Sequence, residues 1–461
     1  MKRQCLSPLH NLDKISSLHD SIRLHILSFL PMEDAIRTTI LSKSWRNVCS
    51  SLPILEFSEW AYEQKKCKKK DMDAFKDIID HTLMLHDESN IISFRLILSR
   101  APISTPHINS WVSFALQHNV QHLTLYSVYR PIEQLPRSLF VCSSLRVLDL
   151  SNVPLKLPNS IQFPLLKSLM LSWVEFLADN LVSKLLSCCC CPVLESLVIV
   201  RCYQYHANTH TISFSNLKYL KLFKNEVVSR LKIILSIPNL QKFIYSGQEP
   251  PSLTYQTLAS ISDAKFVLTS LPTNSNETGS DYFNNCASKI LKGLRNVEKL
   301  TLGEFYIENL TRDRDLSTCL ATSCYTLKTL ELYMYATKNQ VQAVTLLLRS
   351  YPNLETLNVF FSEEDCTSLN MLNMEEYWQL KVVSMRDPLK HLKTVEIDLF
   401  KGSKNELLLL RSLLMSASML EKMNVKLSRY SRGNVENRTK LSEKLLTFTK
   451  VSPHTTICIV R

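Results

Sequence analysis

The chain has 461 residues, of which 45% are hydrophobic and 21% charged, and its formal net charge at pH 7 is +12. This composition allows a large core or an extended repeat structure. No apolar run approaches membrane-spanning length and the first residues lack a signal-peptide apolar region, so we expect no membrane partner and a location in the cytoplasm or nucleus. The fourteen cysteines are then expected to be reduced apolar fillers.

Residues 12–55 carry two apolar series at helical spacing. The first consists of Leu18, Ile22, Ile26 and Leu30, which Leu27 and Phe29 widen. The second consists of Ile36, Ile40, Leu41, Trp45 and Val48. Pro31 ends the first predicted helix, and Ser42 is a fair N-cap for a short third helix. So much apolar surface on about 40 residues makes a poor stand-alone domain, so the helices either close a repeat stack or dock on another protein.

The same segment resembles an F-box, on the strength of Ile26 to Pro31 and of Leu41 to Arg46, which reads Leu-Ser-x-x-Trp-Arg. It is similar to the plant class that joins an F-box to leucine-rich repeats and a C-terminal FBD segment. The resemblance implies docking to a Skp-family adaptor and through it to a cullin. The adaptor-facing or motif-core positions that it implies are Leu18, Ile22, Ile26, Leu27, Leu30, Pro31, Ala35, Leu41 and Trp45. This chain has Leu18-His19 where the family usually has Leu-Pro, and loss of the proline would weaken docking.

Residues 56–90 form a predicted linker and helix. The run Lys65 to Lys70 contains five lysines, and we interpret it as a solvated linker or helix end, with a nuclear-import signal as the alternative. Ile92, Phe94, Leu96 and Leu98 then alternate strictly, which predicts a half-buried strand. We take that strand as the first of the repeats.

Residues 91–374 repeat the frame apolar-x-x-apolar-x-apolar, as in Leu145-Arg-Val-Leu-Asp-Leu150. Nine copies and a degenerate one at 263–268 lie in this range and two more follow it, and successive copies begin 21 to 38 residues apart. This frame and pitch are typical of leucine-rich repeats, whose units bury their apolar side only by stacking. The predicted fold is an α/β solenoid, an irregular leucine-rich-repeat horseshoe, with an N-terminal three-helix F-box.

The outward positions of the strands are the predicted target-binding face, since partners usually bind the sheet side of such solenoids. Aromatic candidates there are Tyr126, Trp173, Phe223, Tyr333 and Phe360. Basic candidates are Lys221, Lys242, Lys265 and Lys299. The rings suit either protein anchors or packing under neighbouring loops. The lysines suggest an acidic or phosphorylated partner, whereas nucleic acid is not expected because no recognition fold accompanies the charge.

Residues 375–455 resemble the FBD segment of the same plant class, through Pro388 to Ile397 and Leu420 to Val425. Physically they are two more repeat copies separated by an apolar helix. The closing stretch from Glu443 to Arg461 is interpreted as an end cap. What the family segment binds cannot be read from these residues.

Catalytic and cofactor motifs are absent from the sequence. Its six glycines are too widely spaced for a phosphate-binding loop. The run Cys188 to Cys191, with Cys202, His206 and His210, could supply zinc ligands, but a buried repeat corner suits small apolar residues better. We therefore expect no metal, no cofactor and no enzyme.

The functional interpretation is substrate recruitment to an SCF (Skp–cullin–F-box) ubiquitin ligase, with an unknown target protein. One alternative is a repeat-only interaction protein without robust ligase coupling. Another is a small-molecule-sensing F-box receptor with a pocket in the repeat face.

Overall fold

A computed structural model of the chain divides into two compact units, Met1–Leu194 and Glu195–Arg461. The structure describes residues 15, 17–65, 72–99, 103–177, 179–203, 209–224, 232–270, 287–313, 316, 324–363, 389–428, 441, 443–445 and 447–460. All of the predicted basic run except Lys65 lies outside these residues. None of the helices in the described ranges has the length and apolar character that a bilayer crossing requires.

The first unit begins with three short helices, in agreement with the predicted helical head. These are α1 (Asp20–Ser28), α2 (Met32–Arg37) and α3 (Lys43–Ser50), with a 3-10 turn at Thr38–Ile40 between the last two. Further along are α4 (Glu59–Lys65), α5 (Met72–Leu85), α6 (Thr105–Gln117) and α7 (Asp179–Leu185), with a 3-10 turn at Arg137–Val141. The head is therefore followed by helices that cover one side of a sheet.

The strands of the first unit form a parallel sheet. They are β1 (Ile54–Ser58), β2 (Ser93–Leu98), β3 (His122–Ser127), β4 (Val147–Ser151), β5 (Pro154–Leu155), β6 (Ser168–Ser172) and β7 (Glu175–Phe176). The main sheet pairs β1, β2, β3, β4 and β6 in that order, and β5 pairs separately with β7.

The strand predicted at residues 92–98 is present as β2, but it is not the first of the sheet, because β1 precedes it and pairs with it in parallel. In β1 only Leu55 and Phe57 are buried. Two alternating apolar positions are too few to indicate a strand by periodicity. The hydrogen bonds of β2 stabilise this short segment, so the sheet starts within the stretch assigned to the helical head and linker.

The second unit contains a longer parallel sheet and a small one. Its strands are β8 (Ser196–Val200), β9 (Thr209–Ser213), β10 (Tyr219–Phe223), β11 (Lys232–Ser236), β12 (Lys242–Gly247), β13 (Ser252–Leu253), β14 (Asp263–Leu268), β15 (Lys299–Leu302), β16 (Thr329–Met334), β17 (Thr356–Phe361), β18 (Thr394–Phe400), β19 (Lys422–Leu427) and β20 (Thr456–Val460). Its helices include α8 (Tyr255–Ser260), α9 (Glu304–Thr311), α10 (Lys338–Arg349) and α11 (Lys404–Ser416).

In this unit β8, β10, β12 and then β14 to β20 pair in chain order, whereas β9, β11 and β13 form the small sheet. The degenerate copy at 263–268 is a strand as predicted, β14. The predicted apolar helix between the last two copies is α11. The closing stretch adds the parallel strand β20, paired with β19.

The repeated frame accounts for the register of both sheets. Leu148 is paired with Leu169, and Leu330 with Leu357, so equivalent frame positions stand side by side. The first apolar residue of each copy, for example Leu145, is also buried. Because alternate strand residues point to opposite sides, one side of each sheet is apolar and the other is free to carry polar side chains.

Candidate functional site

Helix α1 begins with an unusual N-cap, His19. Its Nδ1 accepts a hydrogen bond from the backbone N–H of Ser21 at 3.3 Å, and its φ of −59° is close to the value that proline would impose. The side chain therefore supplies a cap where the family's proline would supply only a restrained backbone. The departure from the family pattern leaves the start of the helix intact.

Arg23 joins α1 to α3 from a nearly buried position. Its guanidinium donates to Ser44 Oγ at 2.6 Å, also pairs with Asp20, and lies 5.6 Å from the ring centroid of Trp45. The side chain is 7% exposed. A buried charge of this kind is tolerated only because partners surround it.

The predicted adaptor positions fall into two groups. Leu27, Ala35 and Trp45 are buried and form the core of the helical head. At the start of α3 the backbone N–H of Trp45 donates to Ser42 Oγ at 3.3 Å, as the predicted N-cap requires. These residues stabilise the helices from inside and do not form the surface of the head.

The other predicted positions lie at the surface. The exposed fractions are 48% for Ile22, 39% for Ile26, 40% for Leu30 and 69% for Leu41. Pro31 is also exposed, and Leu18 is half-buried. Large apolar side chains in such numbers on so few residues are a common mark of a protein contact.

Three exposed apolar residues were missing from the predicted set. Phe29 is 75% exposed, Ile40 84% and Ile15 57%. The sequence contained a signal for the first two, since both belong to the apolar series of the helices. We call the exposed set Ile22, Ile26, Phe29, Leu30, Ile40 and Leu41 the helical apolar surface.

A cavity of about 350 Å³ lies where the helical head meets the first strand. Leu27 and Phe29 line it from the head, Phe57 from β1, and Phe75 and Ile78 from α5. The residues that line this cavity do not belong to the sheet face. A small-molecule receptor, the alternative interpretation of the sequence, would have its pocket on the sheet face. Its walls include core and surface residues of the head.

The predicted aromatic residues of the first unit are both exposed. Tyr126, at the end of β3, is 42% exposed, and Trp173, directly after β6, is 44% exposed. Trp173 has a φ of 56°, in the left-handed region. Neither ring is packed away under a loop as completely as the alternative interpretation required.

In the second unit, two predicted lysines are engaged by carboxylates. Lys242 Nζ lies 2.8 Å from Asp263 Oδ2, and Lys299 Nζ lies 2.7 Å from Glu331 Oε1. Thr301 Oγ1 also donates to Glu331 at 3.0 Å. Burial alone would raise the pKa of Glu331, but hydrogen bonds from Lys299 and Thr301 outweigh it and hold that pKa below its ordinary value.

Aromatic rings and the remaining two lysines meet on the same face. The rings of Tyr333 and Phe360 stack with centroids 4.7 Å apart and planes 13° from parallel. Lys265 Nζ lies 5.3 Å from the Tyr333 centroid, and Lys221 Nζ lies 4.7 Å from the Phe223 centroid. These are cation–π distances. The structure therefore brings Lys265, Tyr333 and Phe360 together.

The candidate zinc ligands do not form a cluster in the described part of the chain. There, no three His, Cys, Asp or Glu side chains are grouped to hold a metal ion. Cys188 and Cys189 are exposed, and burial raises the pKa of Cys191 to about 12. Without a metal that thiol is protonated at neutral pH, which fits a buried apolar filler. His206 lies outside the described residues.

Three family profiles match the chain. The F-box domain matches residues 15–57, the LRR repeats of the FBD-associated F-box protein At5g56370 match residues 108–266, and the FBD matches residues 388–425. The first match covers the helical head and β1, and the last covers β18, α11 and β19 up to Val425. A helical F-box followed by leucine-rich repeats defines the class of F-box/LRR-repeat proteins.

Relatives from Arabidopsis thaliana extend these matches. F-box/LRR-repeat protein 25 is 35% identical over 223 residues, which are 48% of this chain and 76% of that protein. FBD-associated F-box protein At4g10400 is 33% identical over 247 residues, covering 53% and 58%. F-box/FBD/LRR-repeat protein At4g03220 is 26% identical over 478 residues, covering 95% and 94%. The chain belongs to the plant F-box/FBD/LRR-repeat family.

Proposed function

We propose that this protein is the substrate-recognition subunit of an SCF-type ubiquitin ligase. The F-box helices α1 to α3 dock a Skp-family adaptor, and the adaptor links the chain to a cullin. The repeat strands present a sheet face that holds a target protein. The chain has no catalytic role in this proposal, which places it in the cytoplasm or the nucleus.

The observation that carries the proposal is the helical apolar surface. Its residues are exposed although other apolar side chains already fill the core of the head, as Leu27 and Trp45 do. Leaving large apolar side chains in water costs roughly 25 cal/mol per Å² of apolar area. A partner that covers this surface removes that cost, and an F-box implies that the partner is a Skp-family adaptor.

The repeats supply the second half of the proposal. Successive strands of each unit pair in parallel and in register, which supports coils of a leucine-rich-repeat solenoid within that unit. Outward side chains of those strands form the proposed target surface. They are Tyr126 and Trp173 in the first unit and Phe223, Tyr333, Phe360, Lys221, Lys242, Lys265 and Lys299 in the second.

The mechanism is proximity. A target held on the sheet face has its lysines at high effective concentration near the ubiquitin carrier that the cullin brings. Holding two reactants together replaces a bimolecular encounter by an effectively unimolecular one. The chemistry of ubiquitin transfer belongs to the other subunits.

The test is co-purification of the full chain with a Skp-family adaptor. We expect wild type to bind, and a Leu30→Asp/Leu41→Asp variant to lose at least about tenfold in affinity, because both side chains are exposed anchors. Substitution of the buried Trp45 would damage the fold and the docking surface together, so surface positions give the clearer answer.

The matched control is Met84→Asp/Leu85→Asp. Met84 is 85% and Leu85 41% exposed at the end of α5, so the change adds the same two charges to a surface outside the F-box helices. Its adaptor affinity should stay at the wild-type level. Absence of adaptor binding by wild type, or equal loss in both variants, would rule out docking through the helical apolar surface.

A further inference from the structure

Four lysines point outward from strands β10 to β17 of the longer sheet, and they divide into two that form ion pairs and two that have no carboxylate at ion-pair distance among the described residues. Lys242 and Lys299 form ion pairs with Asp263 and Glu331, at 2.8 Å and 2.7 Å. Neither Lys221 nor Lys265 pairs with a carboxylate among the described residues; each ammonium lies over an aromatic ring. On these strands Asp263 and Glu331 are the outward carboxylates, so the four ammonium groups leave a net charge of +2, although Lys265 also attracts Glu331 through space.

The rings position these two ammonium groups without cancelling their charge. A ring quadrupole attracts a cation weakly and carries no net charge, so the lysine still attracts an anion. Lys265 reaches Tyr333 across β15, where Gly303 has no side chain. A Cβ at Gly303 would lie 3.1 Å from Val267 Cα, so the backbones are already close there.

The spacing of the two lysines follows from the sheet register. Lys221 is paired with Ile244, which is paired with Lys265, so the two lysines stand two strands apart in one row. At about 4.8 Å per strand their Cα atoms are about 10 Å apart. Beside Lys265, the stacked Tyr333 and Phe360 offer a flat surface that an apolar side chain can cover.

The side-chain chemistry favours carboxylates over phosphate as the anions. In the described strands β10 to β17, the outward positions include lysines but no arginine. Phosphate recognition in proteins relies mainly on the bidentate guanidinium of arginine, whereas an isolated ammonium is a point charge that suits a single carboxylate. Single-stranded nucleic acid would need a longer basic groove than two lysines provide.

Resting on the proposed function, we infer that Lys221 and Lys265 bind two acidic side chains in a segment of the target protein. Tyr333 and Phe360 hold an apolar side chain of the same segment. The surface is thus specific for an acidic protein segment with an apolar anchor. It gives the target a chemical class that the family relationship does not supply.

The experiment selects a random peptide library displayed on phage against the full chain. We expect the selected peptides to be enriched in pairs of Asp or Glu, with an apolar residue nearby, and to bind more weakly as salt rises. Affinity of a selected peptide should fall about fivefold in Lys221→Gln/Lys265→Gln, as loss of two surface charge contacts predicts. Lys221→Arg/Lys265→Arg should retain it.

The control is Lys289→Gln/Lys292→Gln, which removes the same charge from exposed positions of the helical segment 287–293. It should leave peptide affinity unchanged within about twofold. Equal loss in both glutamine variants, no enrichment of acidic residues, or displacement of the peptides by a mixed-sequence oligodeoxynucleotide or by inorganic phosphate would overturn the inference. Adaptor co-purification of the same preparations reports separately on the proposed ligase role.

Discussion

Arg23 shows how one residue can hold a small helical domain together. The helical head contains few apolar core residues, so a single arginine that contacts Ser44, Asp20 and Trp45 connects a large part of it. By contrast, Arg37 pairs with Asp34 in its own helix, and its side chain is 66% exposed. Exposed pairs of that kind contribute little to stability. The buried arginine is the one that positions α1 against α3.

Glu331 makes the sheet face sensitive to acid. Its pKa in the folded protein is lowered, since the Lys299 and Thr301 hydrogen bonds outweigh burial. Its stabilising contribution is therefore complete above the unfolded-state pKa of about 4.3 and is lost as pH falls through the folded value. We expect the melting temperature of wild type to fall more steeply below pH 5 than that of Glu331→Gln, measured by calorimetry at several pH values.

At neutral pH we expect Glu331→Gln to be less stable than wild type, because Lys299 has lost its charged partner. The control is Glu298→Gln, an exposed carboxylate directly before β15, which should leave the pH profile unchanged. Parallel profiles for wild type and Glu331→Gln would contradict the assignment.

Residue-level roles were only partly readable from the sequence. Helical spacing placed Leu27 and Leu30 in one apolar series, although the first is buried and the second exposed. Three short helices carry apolar residues on two faces, and periodicity does not tell which face meets the other helices. Packing within the head decides that, so core and surface were merged in the prediction.

Among the elements, the repeats are joined by asparagine side chains as well as by strand pairing. Asn239 Nδ2 donates to the carbonyl of Ser215 at 2.7 Å, and Asn353 Nδ2 donates to that of Tyr325 at 2.9 Å. In each copy the asparagine directly precedes the first apolar residue of the frame. Its amide satisfies a loop carbonyl of the preceding repeat, where no strand partner is available.

We expect Asn353→Ala to lower the free energy of unfolding of the second unit by about 1 kcal/mol, the usual net contribution of one hydrogen bond. Urea denaturation followed by circular dichroism measures it. Asn358→Ala is the matched control, since Asn358 lies on the sheet face and its Oδ1 accepts no hydrogen bond. A loss of the same size in both variants would show that the asparagine hydrogen bonds between repeats do not stabilise the second unit.

The positions of these asparagines are visible in the sequence, although the apolar frame does not include them. Asparagine stands directly before the first apolar position at 119, 216, 239, 296 and 353. The frame explains which side chains are buried, whereas Asn239, Asn296 and Asn353 each donate a hydrogen bond to a carbonyl that precedes their own repeat copy. A search for polar residues at fixed offsets from the frame would have found them.

For the molecule as a whole, we propose that the adaptor binds α1 to α3 and that the target binds the sheet face of the repeats. We expect addition of adaptor to slow hydrogen exchange in α1 to α3 by up to about a hundredfold when free adaptor exceeds its Kd about a hundredfold. Exchange in β15 to β19 should not change. Hydrogen–deuterium exchange with mass spectrometry measures both regions in one experiment.

The complementary sample is the full chain with a selected acidic peptide. It should protect amides of β10, β14 and β16 and leave those of α1 to α3 unchanged. Protection of the sheet by the adaptor, or of the helices by the peptide, would contradict this division of roles.

The sequence by itself determined the repeat frame, the strands, the F-box resemblance and the outward positions of the candidate lysines and aromatic residues. These follow from short-range periodicity, because the spacing of apolar residues decides which side of a strand or helix is buried. Only the tertiary structure decided that Lys242 and Lys299 are neutralised while Lys221 and Lys265 lie over rings. Those contacts join residues on different strands, and strand register decides which of them meet.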